Sequence, residues 1–520
     1  MGVMARKETP TVERRKALKS IGAAGVVALA GCAGDGGDGE DGGDTDDGGR
    51  SGDDVAAGDP PDDVEEWFAE AASPYEGTEL SLVTESTPSS LYYRDEITPR
   101  FEEVTGIEVD FSAVAFGEMY NREVSTATSN DPSLDVGYIE QDASNAYANN
   151  GWLVNIDEFR RNHPDITMPG FDLKDFTDFQ WNFNYPPGEG NGPRYSYPME
   201  SGLKMLIYRQ DVVEDVASDF GYDPDSYMSP DDYMEMAAHI QENTELTGHS
   251  QQHKGVTGAY ALTESYWPMF GVYDWGLDPD KWVALESRGG QMNSKRSVEA
   301  LKFYKEMGEQ YSPDGWKSLT WSGVPDTIIS ERSAMGLIYG ENVAKTQEAL
   351  GDRVASGLQP ATQNVVDELE MSASEDPAPG GPAYSGYYNG AGWGIMSASE
   401  KREAAYLYIQ WMLRPEASRK LAQNVGLIVR DSAFEAVKDG QINSNTGYFD
   451  RFEQHQSDFQ GCRVGEVQKA LVEGPIFDWL HAFTAGEADA ETAANEMAWE
   501  SEQVINRLGF LGKTLDEKPF

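Results

Sequence analysis

The 520-residue chain is long enough for two or three domains with sizeable cores, and it is strongly acidic. Its 90 Asp and Glu residues outnumber 40 Lys and Arg, which gives a formal net charge of −50. Such a charge repels nucleic acid and anionic lipid headgroups, so both are excluded as partners. The repulsion among these charges also opposes compaction of the chain unless salt screens it. So acidic a composition is typical of proteins from halophiles, and we expect a haloarchaeal source.

The first 31 residues are predicted to be an export signal. Arg14 and Arg15 precede the apolar run Ile21–Ala30, whose ten residues fall short of the ~20 that cross a bilayer. A basic flank and a short apolar run are typical of a secretory signal, and the paired arginines resemble the twin-arginine type. Residues 29–32, Leu-Ala-Gly-Cys, resemble a lipobox. We therefore expect removal of residues 1–31, a lipid on Cys32, and attachment to the extracellular face of the cell membrane.

A tether is predicted to follow the anchor. Residues 34–54 contain nine glycines and nine acidic residues and lack any large apolar side chain. Such a composition cannot bury enough surface to offset its ordering entropy, so residues 32–63 are predicted to be a disordered acidic tether. The other cysteine, Cys462, is left without a partner, and a disulfide framework is not expected.

From Glu79 the chain alternates strand and helix patterns. The first five predicted elements are a strand at Leu80–Val83, a helix ending before Gly106, an alternating strand at Ile107–Ala113, a helix at Glu118–Ser129 and a strand at Leu134–Ile139. This β-α-β-α-β order predicts a parallel sheet with helices on its faces.

The second half of the chain shows the same alternation, followed by helices. The predicted elements are a crossing segment at Tyr195–Tyr208, helices at Gln210–Val216, Tyr233–Gln241 and Lys295–Tyr311, strands at Ala334–Tyr339 and Ala355–Leu358, a helix at Lys401–Leu413 and helices from Glu466 to Leu508. Ser229 and Pro230 are predicted to start one of these helices, and Ser397 with Glu400 has the spacing of a capping box.

Several short motifs, in order, resemble those of the extracellular solute-binding proteins of ABC importers, the family that includes maltose-binding protein. They are Ile97–Val109, Asp131–Val136, Asn150–Ile156, Tyr197-Pro198, Leu206–Asp211, Ser333–Gly336 and Gly392–Ile395. The resemblance covers about residues 78–515. It implies an α/β, two-lobed periplasmic-binding-protein-like fold with an interlobe cleft and crossing hinge strands. Lobe 1 would combine 75–200 with 376–430, and lobe 2 would combine 201–375 with 431–520.

The ends of the predicted strands and the resemblance together indicate which residues bind the solute. Ligands of open parallel sheets lie beyond the carboxyl ends of strands. The candidates are Glu85, Ser86 and Thr87 after the first strand, Glu140 and Asp142 after the third, Glu264 and Tyr266 in an acid-aromatic segment, Asn342 after the strand ending at Tyr339, and the aromatic residues Trp321 and Trp393. Carboxylates accept hydrogen bonds from hydroxyls and aromatic faces cover the C–H side of a sugar ring, so a sugar or oligosaccharide is the favoured solute.

Other ligands and other classes of protein remain open at this point. A polyol, a polyamine or a metal chelate would also suit parts of this set. An anchored glycoside hydrolase, with Glu140 and Glu264 as a carboxylate pair, is the enzymatic alternative, and a surface-layer or adhesion protein is a third. The sequence lacks a Gly-x-Ser-x-Gly elbow, a His-Glu-x-x-His helix and a phosphate loop. His249 and His253 have i,i+4 spacing but lie in a polar, loop-like stretch.

We therefore expect a binding protein rather than an enzyme, without catalytic residues, cofactor or bound metal. The expected partners are a small solute, the permease subunits of an ABC transporter, and the membrane through the lipid anchor alone.

Overall fold

Two β-sheets, each with its own hydrophobic core, organise the computed structural model of this protein. The structure describes residues 56, 58–177, 181, 193–201, 204–361, 390–455, 465–511, 518 and 520. All of these belong to one compact unit, residues 48–520. The predicted signal peptide 1–31, Cys32, Cys462 and most of the predicted tether 32–63 lie outside the described residues.

Eight strands form the two sheets. They are, in chain order, β1 Glu79–Glu85, β2 Glu108–Val114, β3 Val136–Glu140, β4 Tyr197–Ser201, β5 Lys204–Arg209, β6 Met335–Tyr339, β7 Val354–Gly357 and β8 Gly390–Ile395. The first sheet has the order β2-β1-β3-β8-β4, and the second has the order β6-β5-β7. In the first sheet β1 pairs in parallel with β2 and β3, as predicted, whereas β8 runs antiparallel to both β3 and β4.

The second sheet is antiparallel throughout. β5 lies between β6 and β7 and runs antiparallel to both, a pairing that alternating strand and helix patterns do not specify. β4 ends at Ser201 and β5 begins at Lys204, so the chain passes from one sheet to the other within two residues. This passage coincides with the predicted crossing segment Tyr195–Tyr208.

The helices pack on the faces of the sheets and fill the C-terminal third. They are α1 Val64–Ala72, α2 Pro88–Tyr92, α3 Thr98–Thr105, α4 Phe116–Ser129, α5 Gln141–Asn149, α6 Ile156–Asn162, α7 Gln210–Val216, α8 Pro230–Asn243, α9 Val256–Ala261, α10 Trp267–Met269, α11 Lys295–Gln310, α12 Gly323–Ile329, α13 Val343–Leu350, α14 Arg402–Leu413, α15 Pro415–Val425, α16 Asp431–Val437, α17 Gln441–Thr446, α18 Tyr448–His455, α19 Gly465–Val472, α20 Pro475–Thr484 and α21 Ala490–Arg507. Two π-helical turns, Tyr93–Ile97 and Leu262–Tyr266, connect α2 to α3 and α9 to α10. None of the described helices combines the length and apolar character needed to cross a membrane.

Local capping explains why most predicted helix ends are close to the observed ones. Gly106 ends α3 with φ of 69°, a left-handed conformation that side chains with a Cβ disfavour. The Ser229 hydroxyl accepts the N–H of Asp232 at 3.1 Å and so starts α8. The predicted capping box of Ser397 and Glu400 was wrong. The helix begins at Arg402, after Lys401, without a side-chain cap.

The buried apolar residues fall into clusters that follow the two sheets. One cluster contains the first sheet together with α3, α14 and α15, and includes Phe101, Trp393 and Trp411. A second cluster joins the second sheet to α8, α11 and α21. A third, smaller cluster packs the other face of β5, at Met205 and Ile207, against the helices near Phe434. These clusters are consistent with two lobes, while the predicted lobe boundaries remain a proposal.

Candidate functional site

The carboxyl ends of three strands lie at the same end of the first sheet, which we call its carboxyl edge. The parallel strands β1 and β3 end at Glu85 and Glu140. Glu140 of β3 and Glu200 of β4 both pair with Ala391 of β8, so they lie level with each other on either side of that strand. The register therefore brings three glutamates from distant parts of the sequence to this carboxyl edge.

A cavity lies between the carboxyl edge and the end of β6 in the second sheet. Its walls are formed by Glu85, Thr87, Phe116, Tyr138, Glu140, Glu200, Val256, Thr257, Tyr260, Trp321, Tyr339, Glu341 and Gly390. The empty space is about 620 Å³, counting the part that is open to solvent. This is within the range of small-molecule pockets, which is about 300–1,000 Å³.

Glu200 is held in place by hydroxyl groups of the first lobe. Its carboxylate accepts hydrogen bonds from Tyr138, from Ser89 and, at 3.5 Å, from Thr87. Thr87 also caps α2 by accepting the N–H of Ser90 at 3.1 Å. Burial raises the pKa of Glu200, although the bonds from Ser89 and Tyr138 oppose the rise. The carboxyl group is thus fixed on the cavity wall.

A hydrogen bond between Trp321 and Glu85 joins the two walls of the cavity. The indole N–H of Trp321, in the loop before α12, donates to Glu85 at the end of β1 over 3.2 Å. Burial and the nearby Glu200 charge raise the pKa of Glu85 to about 8, and the Trp321 bond opposes this shift. Glu85 is therefore mostly protonated at neutral pH when the cavity holds no ligand.

Lys469 of α19 lies against the acidic end of β3. Its ammonium nitrogen is 3.9 Å from carboxylate oxygens of both Glu140 and Asp142, and 3.3 Å from Glu473. Burial lowers the pKa of Lys469, but Asp142 and Glu140 outweigh burial and the net shift is upward. The Tyr260 hydroxyl of α9 donates to Asp142 at 2.5 Å. α5 of the first lobe is therefore linked to α9 and α19 on the other side of the cavity.

A buried ion pair supports Tyr339 from behind. The Lys204 ammonium lies 2.7 Å from Glu264, and the Tyr339 hydroxyl donates to the same carboxylate. Both charged side chains are almost fully buried, at 2% and 0% exposure. Burial raises the pKa of Glu264 and lowers that of Lys204, and in each case the partner's charge opposes the shift.

The structure brings four of the predicted site residues together on the cavity wall: Glu85, Thr87, Glu140 and Trp321. Asp142 and Asn342 are buried just behind the wall and contact residues that line it. Asp142 accepts the Tyr260 hydroxyl, and the Asn342 amide donates to Glu341 at 3.2 Å. Whether these residues contact a solute remains a prediction.

The other predicted residues lie away from the wall. Ser86 is exposed, and Glu264 is paired with Lys204 behind Tyr339. Tyr266 is buried between His249 and Gln251, and it bonds to both side chains at 3.0 and 2.6 Å. Trp393 is fully buried in the core of the first sheet, because β8 lies in the interior of that sheet. Trp393 lies within β8 and not at its end, and its ring packs in the core instead of lining the cavity.

Sequence reasoning missed the residues that supply most of the cavity's aromatic surface and one central acid. These are Phe116, Tyr138, Glu200, Tyr260 and Tyr339, whereas Glu341 follows the predicted strand end at Tyr339, as Asn342 does, and lines the cavity. Glu200 had a usable signal, since a carboxylate within the buried strand β4 requires a structural or functional reason. Tyr260 had none, because its position depends on how the two lobes meet.

The two spaced histidines are structural. His249 Nδ1 contacts the Tyr233 hydroxyl at 2.8 Å, and burial lowers the pKa of His249 to about 3. His253 Nδ1 contacts the Tyr304 hydroxyl at 2.7 Å. In the described part of the chain, no group of three His, Cys, Asp or Glu side chains is arranged to hold a metal ion.

Comparisons with known proteins agree with this architecture. A sequence model of the family described as bacterial extracellular solute-binding protein matches residues 84–419. A probable amino-acid ABC transporter periplasmic-binding protein of Sinorhizobium fredii is 20% identical over 444 residues, which cover 84% of this chain and 91% of that protein.

Solved structures share the fold at low sequence identity. Maltose-bound MalE3 of T. maritima superposes with a TM-score of 0.67 at 17% identity, covering 82% of this chain and 100% of that one. A solute-binding protein of an ABC transporter from Agrobacterium radiobacter, in complex with ribitol, has a TM-score of 0.64 at 16% identity, covering 82% and 99%. The predicted two-lobed, periplasmic-binding-protein-like fold is confirmed.

Proposed function

Because the chain belongs to the bacterial extracellular solute-binding protein family, we propose that its cleft captures a small sugar or polyol for an ABC importer. The family assignment makes it a solute-binding protein of an ABC transporter, and the identity of the solute is the proposal. One observation carries it: a cavity between the two sheets combines four carboxyl groups with five aromatic side chains. Carboxyl oxygens accept hydrogen bonds from hydroxyls, while aromatic faces cover C–H surfaces.

The ligands bound in the similar structures support this class of solute. One structure holds maltose and the other ribitol. The Sinorhizobium relative is described as a probable amino-acid binder, but an amino acid carries a carboxylate as well as an amine. Among the described residues that line the cavity, none is basic, so that carboxylate would meet other carboxyl groups. We therefore favour a hydroxylated solute over an amino acid.

Capture is proposed to occur by closure of the lobes about the short passage from β4 to β5. Bonds between opposite walls, from Trp321 to Glu85 and from Tyr260 to Asp142, hold the cavity in the closed arrangement. A solute between the walls would add contacts to both sides. Binding and closure are then coupled, because the closed form has the higher affinity.

Binding is tested by thermal denaturation at molar salt with maltose, ribitol, D-mannitol and D-glucose. A solute that binds the folded protein raises its stability by about 2.7 kcal/mol at one hundred times Kd. We expect at least one of these compounds to raise Tm, and Trp321→Ala to weaken its binding by about tenfold, equivalent to about 1.4 kcal/mol. The control is Glu235→Gln, an exposed position on α8. A response equal in the Trp321 variant and the control would place binding elsewhere.

Catalysis and anchoring are separate questions. The family and the similar structures are binding proteins, and we propose that this chain does not hydrolyse its solute, so a bound oligosaccharide should be recovered intact by mass spectrometry.

We further propose that a twin-arginine signal exports the chain and that lipid on Cys32 holds it at the extracellular face of the membrane, near its permease. Cys32→Ser should then release the protein into the medium, and retention on the cell would contradict the anchor.

A further inference from the structure

The cavity wall concentrates acidic side chains without a basic one among the described residues that line it. Four carboxyl groups, those of Glu85, Glu140, Glu200 and Glu341, face the same space. Lys, Arg and His are absent from the described residues that line it. Burying several carboxylates together without a nearby cation is costly, because each loses hydration and repels the others.

The two buried lysines close to the cavity are already committed to other acids. Lys204 pairs with Glu264 at 2.7 Å. Lys469 lies 3.3 Å from Glu473 and is shared, at 3.9 Å, between Glu140 and Asp142. These lysines leave Glu85 and Glu341 without an ion pair to any described side chain.

The acidic wall also presents an unused hydrogen-bonding atom. Glu140 is 92% buried, at 8% exposure, and its Oε2 atom is without a hydrogen-bond partner among the described residues. Burial and the charge of Asp142 raise the pKa of Glu140 well above its usual range. This atom faces the Lys469 ammonium at 3.9 Å, beyond hydrogen-bonding distance, so it can still accept a hydrogen bond from a solute.

Two aromatic rings of the cavity each lie close to a lysine ammonium group of the protein itself. The Lys204 ammonium is 4.4 Å from the centre of the Tyr339 ring, and the Lys469 ammonium is 4.2 Å from that of Phe116. Both rings line the cavity. Rings at these distances attract positive charge through their π-electron faces.

We propose that the captured solute carries a protonated amine, which Glu85, Glu200 and Glu341 bind between the aromatic walls. The inference rests on the proposed function, since it concerns the charge of the solute that the same cleft captures. An amino sugar or amino polyol satisfies both proposals, because its hydroxyls and its ammonium group would both find carboxyl acceptors. A bare metal ion is disfavoured, because the described acids do not converge in the geometry of a metal site.

The test is titration calorimetry on the full-length protein at molar salt and pH 7, with matched pairs of compounds. D-glucosamine is compared with D-glucose, and putrescine with 1,4-butanediol, so that each pair differs in amine against hydroxyl. We expect the amine of at least one pair to bind ten or more times tighter than its neutral partner. In both Glu85→Gln and Glu341→Gln this preference should fall at least tenfold, while Glu235→Gln should retain it.

Proton release provides a second readout that a purely structural role would not change. Glu85, with a pKa of about 8, is mostly protonated in the empty cleft and should ionise beside an ammonium group. Glu85 is surrounded by Glu140, Glu200, Glu341, Lys469 and Trp321. The number of protons released on binding therefore belongs to this cluster as a whole. Titrations in buffers of different ionisation enthalpy should therefore show protons released by the amine and none by the neutral partner.

The outcomes separate the two proposals. Equal affinity for amine and neutral compounds, without proton release, would overturn the charge inference and leave sugar or polyol capture standing. Tight binding of putrescine alone would support the charge inference and overturn the hydroxylated solute. A complete lack of binding by every compound would contradict both.

Discussion

At the scale of single residues, the clearest feature is the buried pair of Lys204 and Glu264. Its two charges are 2.7 Å apart and almost inaccessible to water, and Tyr339 on the cavity wall bonds to the same carboxylate. A buried pair contributes little net stability compared with apolar residues of the same shape. Removing only one partner is costly, however, because the remaining charge stays buried. The pair therefore fixes the position of Tyr339 more than it stabilises the fold.

Glu264→Gln should consequently destabilise the ligand-free protein by about 3–5 kcal/mol, because it leaves the Lys204 ammonium without a counter-charge. Chemical denaturation at constant molar salt measures this difference. The double variant Lys204→Met with Glu264→Gln should recover much of the loss, since the unpaired charge is gone. Equal destabilisation in the single and double variants would show that the carboxylate acts through packing instead.

At the scale of secondary-structure elements, the site depends on helices that meet across the cavity. α5 follows β3 in the first lobe, whereas α9 and α19 pack with the core of the second sheet. The bond from Tyr260 to Asp142 and the contact of Lys469 with both Glu140 and Asp142 connect these helices. These contacts do not require a solute, so in the proposed closure mechanism they would favour the closed arrangement of the empty protein.

Tyr260→Phe is expected to weaken solute binding by roughly 10- to 150-fold, the equivalent of about 1.5–3 kcal/mol for a lost hydrogen bond to a charged group. Calorimetry with the solute found in the thermal screen measures the affinity. X-ray scattering of the ligand-free variant should show a larger radius of gyration, because one closing contact is missing. The control is Tyr311→Phe, a partly exposed tyrosine beyond the end of α11. Wild-type affinity and size in Tyr260→Phe would contradict a closing role.

At the scale of the whole molecule, the dominant feature is the excess of acidic side chains. The net charge of −50 is spread over a chain whose fold matches that of solute-binding proteins over 82% of its length. Many of the ion pairs involve exposed side chains, such as Arg100 with Glu65 and Lys345 with Asp326. Exposed pairs contribute about 0–1 kcal/mol each, which does not offset repulsion among so many acids.

The protein should therefore lose stability as salt is removed and regain it at molar salt, where the screening length falls to about 3 Å. Circular dichroism melting curves over a series of KCl concentrations test this expectation. A parallel series with a neutral osmolyte at equal water activity separates two effects of the salt. These are the screening of repulsion between acidic side chains and the stabilisation that comes from exclusion of a solute from the protein surface. A Tm that is unchanged between dilute buffer and molar KCl would contradict the halophilic interpretation of the composition.

The sequence by itself determined the local elements and the family. The Thr105-Gly106 junction, the alternation in β2 and the Ser229 cap each act over a few neighbouring residues, and the structure has the corresponding elements within about three residues. Strand ends are also local features, so Glu85, Thr87 and Glu140 were found on the cavity wall.

Only the tertiary structure decided which other side chains share that wall. Glu200 lies level with Glu140 because β4 and β3 both pair with β8 in matching register. Tyr260 bonds to Asp142 because the two lobes meet at this point. Trp393 was misplaced for the same reason, since the interior position of β8 turns its ring into the core. Register and lobe contact depend on residues far apart in the chain. Periodicity and spacing within one segment therefore do not encode them.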